Sequence, residues 1–142
     1  MIVQGQCTIF KQDCLSGRAN FAIGTPYTYK IALYNALADL GPTTLAYSTD
    51  NEVTGTGYTT GGEVLTIIPP DSNNTAQTAY VSFEPAIWTS ASFTTRGALI
   101  YNSTTNAAVC VLNFGSDKVA NGSTFTIQFP TADATSAVIR IS

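Results

Sequence analysis

The chain has 142 residues, of which 44% are hydrophobic and only 11% charged, with six basic and nine acidic side chains and a net charge of −3. That length suits a single domain spanning 1–142, with a core large enough to need no metal or disulfide. The charged share is well below the ~25% usual in soluble domains. The basic residues Lys11, Arg18, Lys30, Arg96, Lys118 and Arg140 are scattered singly. Nucleic-acid binding, which needs a clustered basic footprint, is therefore not expected.

No apolar run approaches the ~20 residues that span a bilayer, so no membrane partner is expected. The segment Met1–Gln6 carries neither a basic leader nor an apolar stretch, so no signal peptide is expected. Thr, Ser, Asn and Gly take the place of the missing charges. A neutral, hydroxyl-rich surface lacks the charge that keeps a monomer apart from its neighbours, and it suits a chain that packs against copies of itself or a partner.

Residues 1–26 read as an N-terminal arm or docking segment. Within them Ile9–Leu15 has the length of two helical turns, with Gly17 near their C-terminal end. Tyr27–Tyr34 alternates, with Tyr27, Tyr29, Ile31 and Leu33 on one side. Ala36–Gly41 reads as one helical turn before Pro42. Glu63–Ile68 is a strand expected to stop at Pro69-Pro70. Asp71–Thr75 is a loop, Thr78–Phe83 a strand, and Ile87-Trp88 a short strand after Pro85.

Ala98–Tyr101 and Ala107–Leu112 are apolar on both faces, and the polar turn Asn102–Asn106 joins them as a hairpin. Asn113–Asp117 begins a connection, and Asn121-Gly122 is a turn. Thr124–Phe129 alternates so that Phe125, Ile127 and Phe129 face a core, and Ala137–Ile141 closes the chain as a strand. The expected fold is all-β: an antiparallel β-sandwich, jelly-roll-like, of roughly eight strands with at most one or two short helices.

The sequence contains no histidine. That removes Ser-His-Asp and Cys-His catalysis and the common zinc sites. Cys7, Cys14 and Cys110 are odd in number and lack the CxxC spacing, so they read as structural thiols. Asp50 and Glu52 would share a face if on a strand, and Glu63 follows a flexible loop. These three acids are weak Ca²⁺ candidates, and they are the carboxylates that a two-acid glycosidase mechanism would have to use. The simpler reading is a solvated acidic loop. No catalytic residue, cofactor or metal is expected.

The glycine-rich run Gly55–Gly62 does not have the G-x-G-x-x-G spacing, and it leads into a strand instead of a helix. It therefore reads as a tight turn or bulge with glycines at positive φ, Tyr58 packing over it, and not as a phosphate cradle. The sequons at Asn73, Asn102 and Asn121 read as chance in a chain rich in Asn, Ser and Thr. Trp88, Tyr58 and Tyr101 are the aromatics a carbohydrate-binding module would stack on sugars, although rings in β-sandwiches are mostly core.

Several motifs occur in a suggestive order. Tyr29-Lys30-Ile31-Ala32-Leu33-Tyr34 is followed by Thr44-Leu45-Ala46-Tyr47-Ser48, then by the run from Asn51 to Gly62, then by Ala98-Leu99-Ile100-Tyr101-Asn102, and finally by Phe125 through Ala134. In this order, over about residues 27–141, the chain resembles a family of small virion structural proteins of tailed bacteriophages. Its most specific element is E-V-x-G-x-G-Y-x-x-G-G, here Glu52–Gly62.

The resemblance implies a non-enzymatic virion component, assembled in the bacterial host cytoplasm. The first expectation is a capsid cement or decoration protein. Its partners would be the major capsid protein and copies of itself, in a dimer or trimer, with an exposed edge strand as one means of contact. A neck, tail or fibre-associated protein is the second expectation, and a carbohydrate-binding or adhesion module the third.

Overall fold

The computed structural model describes residues 1–142. The chain order is β1 (Gly5–Gln6), α1 (Thr8–Ser16), β2 (Tyr29–Tyr34), β3 (Glu63–Val64), β4 (Ile67–Asn73), β5 (Thr78–Phe83), β6 (Ala86–Asn102), β7 (Ala107–Ile127) and β8 (Ile139–Ile141). The strands form a five-stranded sheet, β1-β7-β6-β2-β3, and a three-stranded sheet, β4-β5-β8. Every pairing between strands is antiparallel. The fold is the expected all-β, sandwich-like one, with a single short helix.

The predicted hairpin is present, Asn102 opposite Ala107 and Ala98 opposite Leu112. Asn102 is buried and starts the turn: its Oδ1 accepts the amide hydrogens of Thr104 and Thr105. The hairpin is far longer than the sequence suggests. Ile87-Trp88 and Ala98–Tyr101 belong to one strand, and the expected breaks at Asn113–Asp117 and Asn121-Gly122 fall inside β7. Gly115 (φ 79°) and Gly122 (φ 63°) take left-handed conformations there. They make bulges, which bend a strand without ending it. Register shifts along the pair mark the same irregularities.

The near half of this hairpin pairs with β2 and β1, while its far half curls over the core as a two-stranded ribbon. Trp88, Phe93 and Phe125 pack on its inner side, with ring centroids 5.3–6.5 Å apart. The Trp88 indole nitrogen has no hydrogen-bond partner, because aromatic rings surround it.

A single cluster of 30 buried residues runs through both sheets. Phe83 carries the core into the small sheet by meeting Phe21 at 6.1 Å and Phe129 at 5.6 Å. On the other side, the Gln6 amide donates to the Arg140 carbonyl at 2.9 Å and links the edges β1 and β8.

Several local expectations need correction. Glu63–Ile68 is not one strand: β3 and β4 share it, and they lie in different sheets. Asp71–Asn73, expected as loop, end β4. Pro69-Pro70 do not stop a strand; they lie within β4, where the register shifts between Ile68 and Asp71. β4 is an edge strand, so a missing N–H on its outer side breaks no ladder bond. Ala36–Leu37 is a turn and not helical, and Leu40 bridges back to Ile2. Residues 1–26 are not a free arm. Ile2, Cys7, Phe10 and Phe21 are core residues, and α1 runs as predicted, with Gly17 (φ 76°) closing it in the left-handed conformation.

Candidate functional site

A buried polar cluster centres on Glu52. β3 pairs only with Lys30 and Ile31, so the remaining edge of β2 has no strand beside it. The segment 51–62 covers it. Val53 N–H donates to Leu33 O at 2.9 Å, Asn35 N–H to Asn51 O at 3.0 Å, and Glu52 bridges Tyr34. Further along, Thr56 bridges Ser92 and closes part of the outer edge of β6. Unpaired strand edges invite pairing with other chains, and here a loop fills that place.

Glycine is required at the three points where this loop touches backbone. At Gly57 (φ 81°) a Cβ would lie 2.8 Å from the Thr89 carbonyl oxygen and 2.9 Å from that of Ser90. At Gly62 (φ 80°) a Cβ would run into the Ile31 carbonyl, and at Gly55 (φ 151°) into the Ser92 carbonyl. The loop is thus the expected structural turn with glycines at positive φ.

Glu52 is 8% exposed, and both its oxygens are occupied. Oε1 accepts the Tyr58 hydroxyl at 2.6 Å and the Gly61 amide at 2.7 Å, and Oε2 accepts the Tyr47 hydroxyl at 2.6 Å. The Tyr58 oxygen in turn accepts the Leu33 amide at 2.9 Å. Tyr101 donates to Gly61 O at 2.7 Å and stacks on Tyr47 at 4.5 Å. Hydrogen bonds to a carboxylate are the strong kind, about 1.5–3 kcal/mol each when removed singly.

Burial first, and the bond to Glu52 second, holds the Tyr58 and Tyr47 phenols well above their ordinary range. Burial and the nearby Glu52 charge push Tyr101 up to about 12. All three rings are therefore neutral donors at neutral pH. Such a carboxylate is a latch: three donors converge on it and hold the loop in place.

The three weak Ca²⁺ candidates do not converge. Asp50 is exposed and Glu52 faces inward; Asn51 between them turns the chain through a left-handed φ of 62°, so the two share no strand face. Glu63 begins β3 and is only partly exposed. No group of three or more acid, thiol or imidazole side chains lies close enough to hold a metal ion.

The rings considered for sugar stacking are committed as well. Trp88 is 1% and Tyr101 3% exposed, and Tyr58 is half-buried over the loop. Cys7 and Cys110 are buried and Cys14 half-buried, all as free thiols. Sequence reasoning missed Tyr47, Tyr58 and Gly61 as partners of Glu52, and Tyr101 as a partner of Gly61. The available signal was the acid embedded in E-V-x-G-x-G-Y-x-x-G-G, with a tyrosine five residues before it and another six after it.

The remaining open surface is distributed differently. Beyond Val111, β7 pairs only with β6, but Gly115 and Gly122 break the regularity of that outer edge. A cleft of about 570 Å³ opens between the N-terminal segment and residues 34–51, lined by Val3, Leu37, Leu40, Asp39 and Asp50. No protein-family model matches the chain, and neither a curated protein nor a solved structure matches it significantly.

Proposed function

We propose that this chain is a non-enzymatic structural protein of a tailed-phage particle, acting as a capsid cement or decoration protein that binds the major capsid protein and copies of itself. The observation that carries this reading is what the chain does with the buried polar groups around Glu52. Glu52, Tyr47, Tyr58 and Gly61 are all committed to fixing a loop over two strand edges. A chain that uses its buried acid as a latch gains rigidity and gives up reactivity.

The surface supports the same reading. Few charges, many hydroxyls and exposed apolar side chains such as Leu15, Leu37, Leu45 and Val119 favour association through shape and apolar contact. A cement protein acts in many copies, so each contact can be weak and the array still holds through avidity.

Quantitative mass spectrometry of purified particles tests this. A copy number comparable to the major capsid protein is the expected result. A small fraction of that number would move the chain to the neck, tail or fibres, and absence from particles would overturn the virion reading. Binding to capsids should change little with salt, because so few charges are available to be screened.

A further inference from the structure

Two exposed surfaces of this chain complement each other in charge and carry apolar side chains with no partner. The outer face of α1 presents Lys11 and Leu15 one turn apart, followed by Arg18 just past Gly17. Leu15 is 92% exposed. Neither Lys11 nor Arg18 meets an acid within the chain, since the ion pairs present are Met1–Asp39 and Arg96–Asp117. Asp13, the acid of this helix, faces inward and is buried.

The second surface is the cleft of about 570 Å³ beside residues 34–51. Asp39 and Asp50 flank it, Asp50 without an ion-pair partner and Asp39 meeting only the solvent-exposed chain amine at 3.6 Å. Leu37 (79% exposed) lines the same cleft, with Val3 and Leu40. The start of α1 touches the cleft region, with Thr8 N–H donating to Pro42 O, and the helix leads away from it. One surface is basic and apolar, the other acidic and apolar; the cleft meets the first residue of α1, whereas Leu15 and Arg18 lie at and just past its far end.

We propose that copies of this chain associate head to tail, the Lys11–Leu15–Arg18 face of one copy docking in the Asp39–Asp50 cleft of the next. The occupant is a second copy because the same chain supplies both signs of charge and an exposed leucine on each side. Two different surfaces meeting in this way make a heterologous contact, which closes into a ring or continues as a filament. Backbone pairing at the bulged edge of β7 is not needed for it. The contact concerns copies of this chain alone and holds with or without a capsid partner.

Charge reversal tests it by sedimentation velocity on the purified chain over a wide concentration range. One variant carries Lys11→Glu and Arg18→Glu, the other Asp39→Lys and Asp50→Lys. All four positions are exposed, and circular dichroism checks that the variants fold. The wild-type chain should associate with rising concentration. Each variant alone should associate at least about tenfold more weakly, because like charges then face each other across the contact. An equimolar mixture should recover wild-type association, since every contact between unlike variants is complementary. Leu15→Ser, which leaves all charges in place, should also weaken association.

A wild-type chain that stays monomeric throughout would overturn the proposal. So would a variant that associates like the wild type, or a mixture that fails to recover. None of these outcomes bears on the copy number in particles, so the two readings fail separately.

Discussion

The Tyr58 hydroxyl accepts the Leu33 amide hydrogen at 2.9 Å while donating its own proton to Glu52 at 2.6 Å. One phenol thus stands where a neighbouring strand would stand, satisfying a backbone donor of β2, and it is itself held by a buried carboxylate. The edge of the five-stranded sheet is closed by a side chain backed by charge, and the loop that delivers it is fixed in the same step.

Removing either member should open this edge. Tyr58→Phe leaves the Leu33 amide without its acceptor and Glu52 short of one donor, a loss of about 2 kcal/mol. Amide exchange at Leu33 should accelerate more than at Leu99 in the centre of the sheet. Glu52→Ala orphans three donors and should cost about 3 kcal/mol or more, whereas Glu52→Gln keeps an acceptor for Tyr58 and Gly61 and should cost about half as much. Chemical denaturation followed by the single tryptophan, Trp88, reads these differences. Equal costs for the Gln and Ala variants would show that the carboxylate is not the latch described.

The glycines should separate into two classes. Gly62→Ala drives a methyl group into the Ile31 carbonyl at φ 80°, while Gly115→Ala, at φ 79°, meets nothing within 4 Å. Both carry the left-handed strain of about 1 kcal/mol. Only Gly62→Ala adds a clash with backbone that cannot give way, so it should cost about 3 kcal/mol or leave the chain insoluble. Thermal unfolding of the two variants side by side distinguishes conformation from contact.

The difference between those glycines is also why the sequence is only partly legible. Alternation locates Phe125, Ile127 and Phe129 on the inner side, because period two survives wherever one sheet face is buried. It does not reveal that Gly115 and Gly122 are bulges, since a glycine in a turn and a glycine in a bulge look alike until the partner strand is known. Pro69-Pro70 read as a stop, although their place on an edge strand makes them harmless. Tyr47 and Tyr58 flank Glu52 in the sequence, but they and Gly61 reach it through loop geometry and no fixed period, so Glu52 reads as a solvated acid.

Stability should fall at high pH, beginning in the ordinary thiol range and steepening in the phenol range. A group whose folded-state pKa is raised binds its proton more tightly in the folded chain. Its contribution is intact below the unfolded value and lost as pH climbs toward the folded one. Tyr101 is raised from 10 to about 12, and Tyr58 and Tyr47 are raised further by burial and by Glu52. The unfolding midpoint should therefore begin to fall near pH 9, where the unfolded thiols of Cys7, Cys14 and Cys110 ionise. It should decline further from pH 10 through pH 12 as the phenols follow. Tyr101→Phe, less stable at neutral pH for want of its bond to Gly61, should decline less steeply. A midpoint that stays flat through this range would contradict the raised phenols.

Thiol chemistry should single out Cys14. Cys7 is 0% and Cys110 3% exposed, while Cys14 is half-buried in a small apolar hollow beside Phe10, Phe21 and Ile139. Burial pushes Cys7 up to about 11 and Cys110 higher, and burial together with the Asp13 charge raises Cys14. All three are therefore protonated at neutral pH, and access decides which reacts first. An uncharged maleimide should modify the folded chain once, at Cys14, slowly at neutral pH and faster as the thiolate forms on the alkaline side. A doubly charged aromatic disulfide should react more slowly still, because the hollow is apolar and Asp13 is adjacent. Peptide mapping after native labelling, followed by labelling in denaturant, reads out the order. Two or three labels on the folded chain at the outset would mean that Cys7 or Cys110 is reached by opening of the β1–β7 pairing, and that the N-terminal segment is held less firmly than its core residues indicate.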